Sequence, residues 1–240
     1  MKFAAMTSMN EAYYDHVGRA MLRTYKHTWS SQATMHVYNE DNFNVKVKTV
    51  VPMGWEMPKE FWEFQLRHTN RKIKQFSKKA WSIIKGCKEI NCDRLIWIDA
   101  DTIMKAGVPL QLLHLIAPDD ILSTHFSVWH NVEGKTYHSC ETGFFILNKN
   151  HPAFREFVDT YEDIYINDKH QDLRRFYDGE VYGKTVRILE AKGNKMLNLN
   201  LHKVNTPIPK SVLAPYINHM KAGAKDDMTN EIIESKWSVD

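Results

Sequence analysis

The feature that most constrains this chain is Leu95-Ile96-Trp97-Ile98 followed at once by Asp99-Ala100-Asp101. A short apolar run rich in Ile, Leu and Trp reads as a buried strand. Two carboxylates at the mouth of such a strand are costly unless a cation neutralises them. A divalent metal that also grips a diphosphate answers that need, because hard oxygen ligands suit Mg²⁺ or Mn²⁺. Ala100 turns away between them, so both aspartates can converge on one ion. Asp-x-Asp alone is a weak signal, since a chain with 29 acidic residues makes such triplets by chance, most of them in solvated turns. The apolar run shifts the balance, because ligands in open α/β sheets bind beyond the carboxyl ends of strands.

Composition sets wide bounds. At 240 residues the chain can bury one substantial core, and 43% apolar with 25% charged residues is ordinary for a soluble globular protein. A net charge of +3 permits an anionic partner without demanding one. Twelve histidines form no short-spaced cluster, and Cys87, Cys92 and Cys140 include no Cys-x-x-Cys pair. That pattern argues for a reducing compartment and against a structural zinc or a disulfide framework. Met1 to Ser8 lacks the apolar segment of a signal peptide, and no run has the length of a membrane span. The expectation is a cytoplasmic protein, of a bacterium or a phage-infected host.

Periodicity predicts alternating strands and helices. Phe3 to Met6 reads as a strand, Asn10 to Thr28 as a helix, Met35 to Tyr38 as a second strand. Val45 to Val51 alternates apolar and basic residues, predicting a half-exposed third strand. Phe61 to Cys87 reads as mostly helical, and Leu110 to Ile116 as a further helix after the Asp99 strand. This order predicts an α/β fold, a mostly parallel sheet flanked by helices, in one domain over 1–225 with a polar tail over 226–240. Within the long helical stretch, Phe76, Ala80, Ile83, Ile84 and Cys87 share a core face. Arg67, Arg71, Lys74 and Lys78 then fall on one opposite stripe if the helix extends that far. The stripe is either a solvated charged face or a surface for an anionic partner such as duplex DNA. Lys79, between the two faces, either reaches a diphosphate or snorkels to water.

Further segments, in order, resemble one group of small glycosyltransferases of bacteria and phages with the GT-A (Rossmann-like) fold and an Asp-x-Asp signature. They are Phe76-Ser77-Lys78-Lys79-Ala80-Trp81, Cys140-Glu141-Thr142-Gly143-Phe144-Phe145-Ile146-Leu147-Asn148, Phe176-Tyr177-Asp178-Gly179-Glu180 and His219-Met220-Lys221-Ala222-Gly223-Ala224-Lys225. Two positions depart from the pattern: Ala222 stands where glycine is usual, and Tyr177 where histidine is common. The resemblance implies transfer of a sugar from a nucleoside diphosphate, UDP-sugars foremost, to a hydroxyl, with Mn²⁺ or Mg²⁺ as cofactor. It assigns Asp101 to the metal, Asp99 to the metal or ribose, and His219 to completing the metal shell. Lys225 would meet the β-phosphate, and Thr7 and Ser8 the nucleoside.

Glu141 either hydrogen-bonds an acceptor hydroxyl or caps a turn. Asp178 is either a turn residue or the general base near that hydroxyl. Hydroxymethylated pyrimidine in phage DNA and a saccharide or lipid-linked glycan are the two acceptor classes in view. Two other classes of protein compete. A nucleotidyltransferase usually carries a glycine-rich basic loop after its first strand, whereas Thr7-Ser8-Met9-Asn10 has no glycine. A non-catalytic nucleic-acid-binding protein would need the basic stripe but not Asp99, Asp101 and His219 together.

Overall fold

Every residue of the strand Arg94–Ile98 is buried, because the sheet that contains it is covered on both faces. A computed structural model describes residues 1–220 of the chain. Its elements run β1 (Phe3–Met9), α1 (Glu11–Tyr13), a π-helical turn (Tyr14–Gly18), α2 (Arg19–Thr28), β2 (Ala33–Asn39) and β3 (Val50–Met53). Then come α3 (Lys59–Arg67), α4 (Arg71–Glu89), β4 (Arg94–Ile98), β5 (Thr102–Met104), α5 (Leu110–Ile116), β6 (Ser123–Val132) and β7 (Lys135–Asn148). The order closes with α6 (Phe154–Ile166), α7 (Asp178–Ala191), β8 (Met196–Asn198) and β9 (Ile217–His219). Lys225 and the polar tail over 226–240 lie outside the described residues.

Seven strands form one sheet in the order β3-β2-β1-β4-β7-β6-β8. The pairs β3-β2, β2-β1, β1-β4 and β6-β8 are parallel, whereas β7 runs antiparallel to both β4 and β6. Side chains of the central strands alternate between two cores, as the period of two requires. Ala4, Met6, Leu95, Trp97, Phe145 and Leu147 join one core with α4, α6 and α7. Phe3, Ala5, Ile96, Ile98, Phe144 and Ile146 join the other, against α2 and α5. The predicted α/β class and mostly parallel sheet therefore hold.

Three expectations shift. The first strand runs on to Met9, so Thr7 and Ser8 lie inside it rather than at its end. The third strand begins only at Val50, where its ladder with β2 starts opposite Met35. Phe43, Val45 and Val47 do point inward, toward the second core, but without a ladder. The stretch from Phe61 to Cys87 is two helices. His68 is extended, and the Asn70 side chain caps the second helix by accepting from the Lys72 and Ile73 amides.

One buried group makes the fold sensitive to acid. His125 on β6 is 1% exposed, and burial, then the nearby His138, holds its imidazole down to about 3. An unfolded chain takes up that proton near pH 6.5. Between about pH 6.5 and 3 the unfolded state thus binds more protons, and stability falls as pH falls. The expected slope from this group is up to about 1.4 kcal/mol per pH unit. Thermal melts across this range test it, and a His125→Gln variant that melts with the same slope contradicts the assignment.

Candidate active site

The site is assembled where β4 ends. Asp99 follows the last residue of β4, and its amide donates to the Gly143 carbonyl on β7 at 2.9 Å. Asp101 precedes β5, which pairs antiparallel with β9 in the register Thr102↔His219. This two-stranded clip sets His219 beside the aspartates. The Met220 amide, donating to the Asp101 carbonyl at 2.9 Å, fastens it. His219 Nε2 lies 3.1 Å from Asp101 Oδ1 and 3.6 Å from Asp99 Oδ2, and its Nδ1 lies 3.4 Å from Glu141 Oε1. Gly143 makes room for the ring: a Cβ there would stand 2.5 Å from His219 Nδ1. On the other side the Tyr13 hydroxyl donates to Asp101 Oδ2 at 2.8 Å.

Lys79 ties a second set of groups to the first. Its ammonium is 2.6 Å from Asp99 Oδ1 and 2.9 Å from Asp178 Oδ2, and it donates to the Thr142 carbonyl at 2.9 Å. Burial alone would lower its pKa, but the Asp178 and Asp99 carboxylates raise it, so it stays charged. Thr142 Oγ1 donates to Asp178 Oδ2 at 2.5 Å, and the Trp97 indole donates to Asp99 Oδ1 at 2.7 Å. Asp178 opens α7, where an acidic residue suits the helix dipole. Gly179 lets that first turn press onto β7, because a Cβ there would run into the Cys140 carbonyl.

Asp99 and Asp101 border a cavity of about 650 Å³ that Ser8, Asn10, Tyr13 and Glu40 also line. Ser8 therefore faces the site, whereas Thr7 is fully buried and does not line the cavity. The basic stripe is not the surface the sequence predicted. The break at His68–Asn70 sends Arg67 away, to Asp168 Oδ2 at 3.2 Å and the Ile166 carbonyl at 2.9 Å. Arg71, Lys74 and Lys78 line the cavity instead, with Lys78 paired to Glu40 at 3.2 Å.

The charges bear directly on whether a metal fits. Asp99, Asp101, Glu141 and Asp178 supply four carboxylates, and Lys79 and His219 two cations, so the cluster keeps an excess of negative charge. Burial, opposed by Lys79 and His219, pushes the Asp99 carboxyl up. Burial would lower the His219 imidazole, but Asp101, Glu141 and Asp99 carry it up to about 10. The protonated ring thus sits where the surroundings demand positive charge. Ligand atoms of Asp99, Asp101 and His219 lie within 4.8 Å of one another. Two carboxylates and an imidazole are a donor set that Mn²⁺ accepts. The residues fit a divalent ion.

Three participants escaped the sequence reading. Tyr13 sits three residues after Asn10, whose side chain accepts from the Tyr13 amide at 2.8 Å and so starts the helix there. In sequence Thr142 stands out only as part of a motif, and Trp97 only as core. No local pattern marks a hydroxyl or an indole that serves a carboxylate distant in sequence.

No family model and no curated protein matches this chain. Solved structures do. The galactosyltransferase LgtC, in complex with donor and acceptor sugar analogs, is similar with a TM-score of 0.60 at 12% identity, over 99% of this chain and 97% of that one. A glycosyltransferase involved in glycosylation of the major capsid of PBCV-1 gives 0.54 at 11%, over 95% and 100%. The glycosyltransferase GlyE of Streptococcus pneumoniae TIGR4 gives 0.54 at 13%, over 100% of this chain and 61% of that one. At such identities the likeness is one of fold, and the fold is that of GT-A glycosyltransferases.

Removing Lys79 tests the electrostatic account. Lys79→Met leaves Asp99 and Asp178 without their shared cation and should cost about 3 kcal/mol in urea unfolding. Adding Asp178→Asn to that variant should restore part of the loss, since one unpaired charge goes with it. Strictly additive losses would show that the two side chains are not coupled.

Proposed function

We propose that this chain is a metal-dependent glycosyltransferase that moves a sugar from a nucleoside diphosphate, with UDP-sugars foremost, to a hydroxyl acceptor. One observation carries the reading: Asp99, Asp101 and His219 converge at the end of a buried strand, beside a cavity large enough for a nucleotide sugar. A bound Mn²⁺ or Mg²⁺ would neutralise the diphosphate as it leaves. Ser8 and Asn10, which line that cavity, would meet the nucleoside, and Arg71 and Lys74 the phosphate oxygens. We assign Lys225 to the β-phosphate on the motif resemblance, as it lies beyond the described residues.

Asp178 Oδ2 already receives a hydroxyl and an ammonium. It would have to release one of them to take a proton from an acceptor. This favours a positioning role, in which Asp178 aims Lys79 at the transferred sugar, over that of an open general base. Glu141, beside His219, is the other carboxylate near the acceptor side. A duplex-reading helix face does not form from Arg67, Arg71, Lys74 and Lys78 together. Of the two acceptor classes, the geometry therefore favours a saccharide over hydroxymethylated DNA.

Hydrolysis of a panel of nucleotide sugars, with and without Mn²⁺, tests the reading and names the donor. Asp101→Ala and His219→Ala should each weaken Mn²⁺ binding, measured by calorimetry with nucleoside diphosphate present, by about tenfold or more. Unchanged affinity in either variant removes that residue from the metal shell. No donor turned over at any metal concentration would sink the proposal.

Asp178→Asn separates its two roles. A positioning carboxylate predicts weaker donor binding and a modest loss of turnover at saturation. A fall of roughly two or more orders of magnitude in turnover, with donor affinity unchanged, would instead make Asp178 the base.

A further inference from the structure

The hairpin β6–β7 joins Val132 to Lys135 through the two-residue turn Glu133-Gly134, both residues at positive φ as a tight hairpin turn requires. Near this turn β7 helps to enclose a second cavity. Lys135, His138, Asp172, Arg174 and Arg187 border about 320 Å³ between the start of β7, the segment before α7 and the outer part of α7. None of these residues borders the cavity beside Asp99.

The charges around it do not cancel. Asp172 is paired with Lys184. Arg174 is held by Glu180 through two contacts, at 3.1 and 3.0 Å. Lys135 and Arg187 remain, both exposed, with no side-chain hydrogen bond or ion pair among the described residues. His138 adds no charge near neutrality, because burial, then the Arg187 guanidinium, holds its imidazole down to about 4. An aromatic ring adjoins the cavity through His138. Trp129 stands opposite His138 in the ladder, on the same face, with ring centroids 5.2 Å apart. It is 43% exposed, so its ring face is open to a ligand.

Two elements join this cavity to the candidate active site. β7 carries His138 and, about 13 Å further along the strand and on the same face, Thr142, which donates to Asp178. α7 carries Asp178 in its first turn and Arg187 further along. α7 covers β7 between the two places, with Gly183 against Ser139 and Gly179 against Cys140, whereas the partly exposed segment from Arg174 to Tyr177 leads from this cavity to Asp178. A short saccharide following that segment could engage both places.

We propose that this cavity is a subsite for an anionic unit of the acceptor, a carboxylate or phosphate ester on a sugar, with Arg187 and Lys135 taking the charge and Trp129 the face of the ring. The inference rests on the glycosyl-transfer reading and extends it to the acceptor. It also separates the acceptor's anion from the donor's diphosphate, which has its own cations.

Titration of the full chain with glucuronate, glucose 6-phosphate, glucose and inorganic phosphate, followed by NMR of the tryptophan indoles, tests it. One or both anionic sugars should bind about tenfold or more tighter than glucose, the worth of a charge-assisted hydrogen bond. The tighter of the two identifies the anion as carboxylate or phosphate ester. Arg187→Gln and Trp129→Ala should each lose most of that preference, and Asp101→Ala should keep it. Glucose binding as well as both anionic sugars overturns the proposal. So does inorganic phosphate binding as well as glucose 6-phosphate, or an unchanged preference in Arg187→Gln. Donor hydrolysis distinguishes the two readings. Hydrolysis without anionic-sugar preference removes the subsite alone, and the preference without hydrolysis of any donor removes the glycosyltransferase reading alone.

Discussion

An ammonium group held between Asp99 and Asp178 is the interaction on which this site depends. Lys79 comes from the middle of α4, Asp99 from the end of β4 and Asp178 from the start of α7. Two successive elements and a third far along the chain are thus pinned at one point, with Thr142 of β7 completing the contact. Buried carboxylates repel one another and shed water at high cost, so their convergence needs cations already in place. Lys79 supplies one fixed charge. His219 supplies a second that a metal can replace, because an imidazole can lose its proton and become a ligand. The remaining negative charge would favour a divalent ion there.

The sheet makes that convergence possible. Because both faces are covered, its central strand is buried along its whole length and stops abruptly where acidic residues begin. β4 shows this most clearly, with five buried residues and then Asp99. Antiparallel β7 lies beside β4 and delivers Glu141, Thr142 and Gly143 to the same edge. Glycine at 143 and 179 removes the side chains that would hold His219 and α7 away. Close packing and chemistry therefore share residues here, and a change that loosens one is expected to disturb the other.

The sequence exposed much of this in advance, and for a physical reason. A strand buried on both faces is a run of apolar residues, and a functional strand end is a sudden run of acids, so β4 and its aspartates stand out locally. His219 was reached only through the motif resemblance, because a late histidine has no local signature as a ligand. The basic stripe misled. Periodicity carried Arg67 onto the same face as Arg71, but the Asn70 cap starts a new helix and changes the direction of the chain. Sequence leaves Lys79 between two readings, diphosphate or water, and neither reveals the Asp99 and Asp178 carboxylates that hold it. A lysine's reach depends on which carboxylates the fold brings near it, and Asp178 is 99 residues away in sequence. The alternation at Val45 and Val47 likewise reports burial correctly but not strand pairing, since a side-chain period says nothing about a backbone partner.

The central claim is that Asp99, Asp101 and His219 bind one divalent ion beside the donor's diphosphate. Crystals soaked with Mn²⁺ and a nucleoside diphosphate, measured for anomalous scattering of manganese, test it most directly. The account predicts one strong peak within coordination distance of Asp101 and His219, in contact with the diphosphate. A peak elsewhere, or a bound diphosphate with no manganese between it and these side chains, would contradict it.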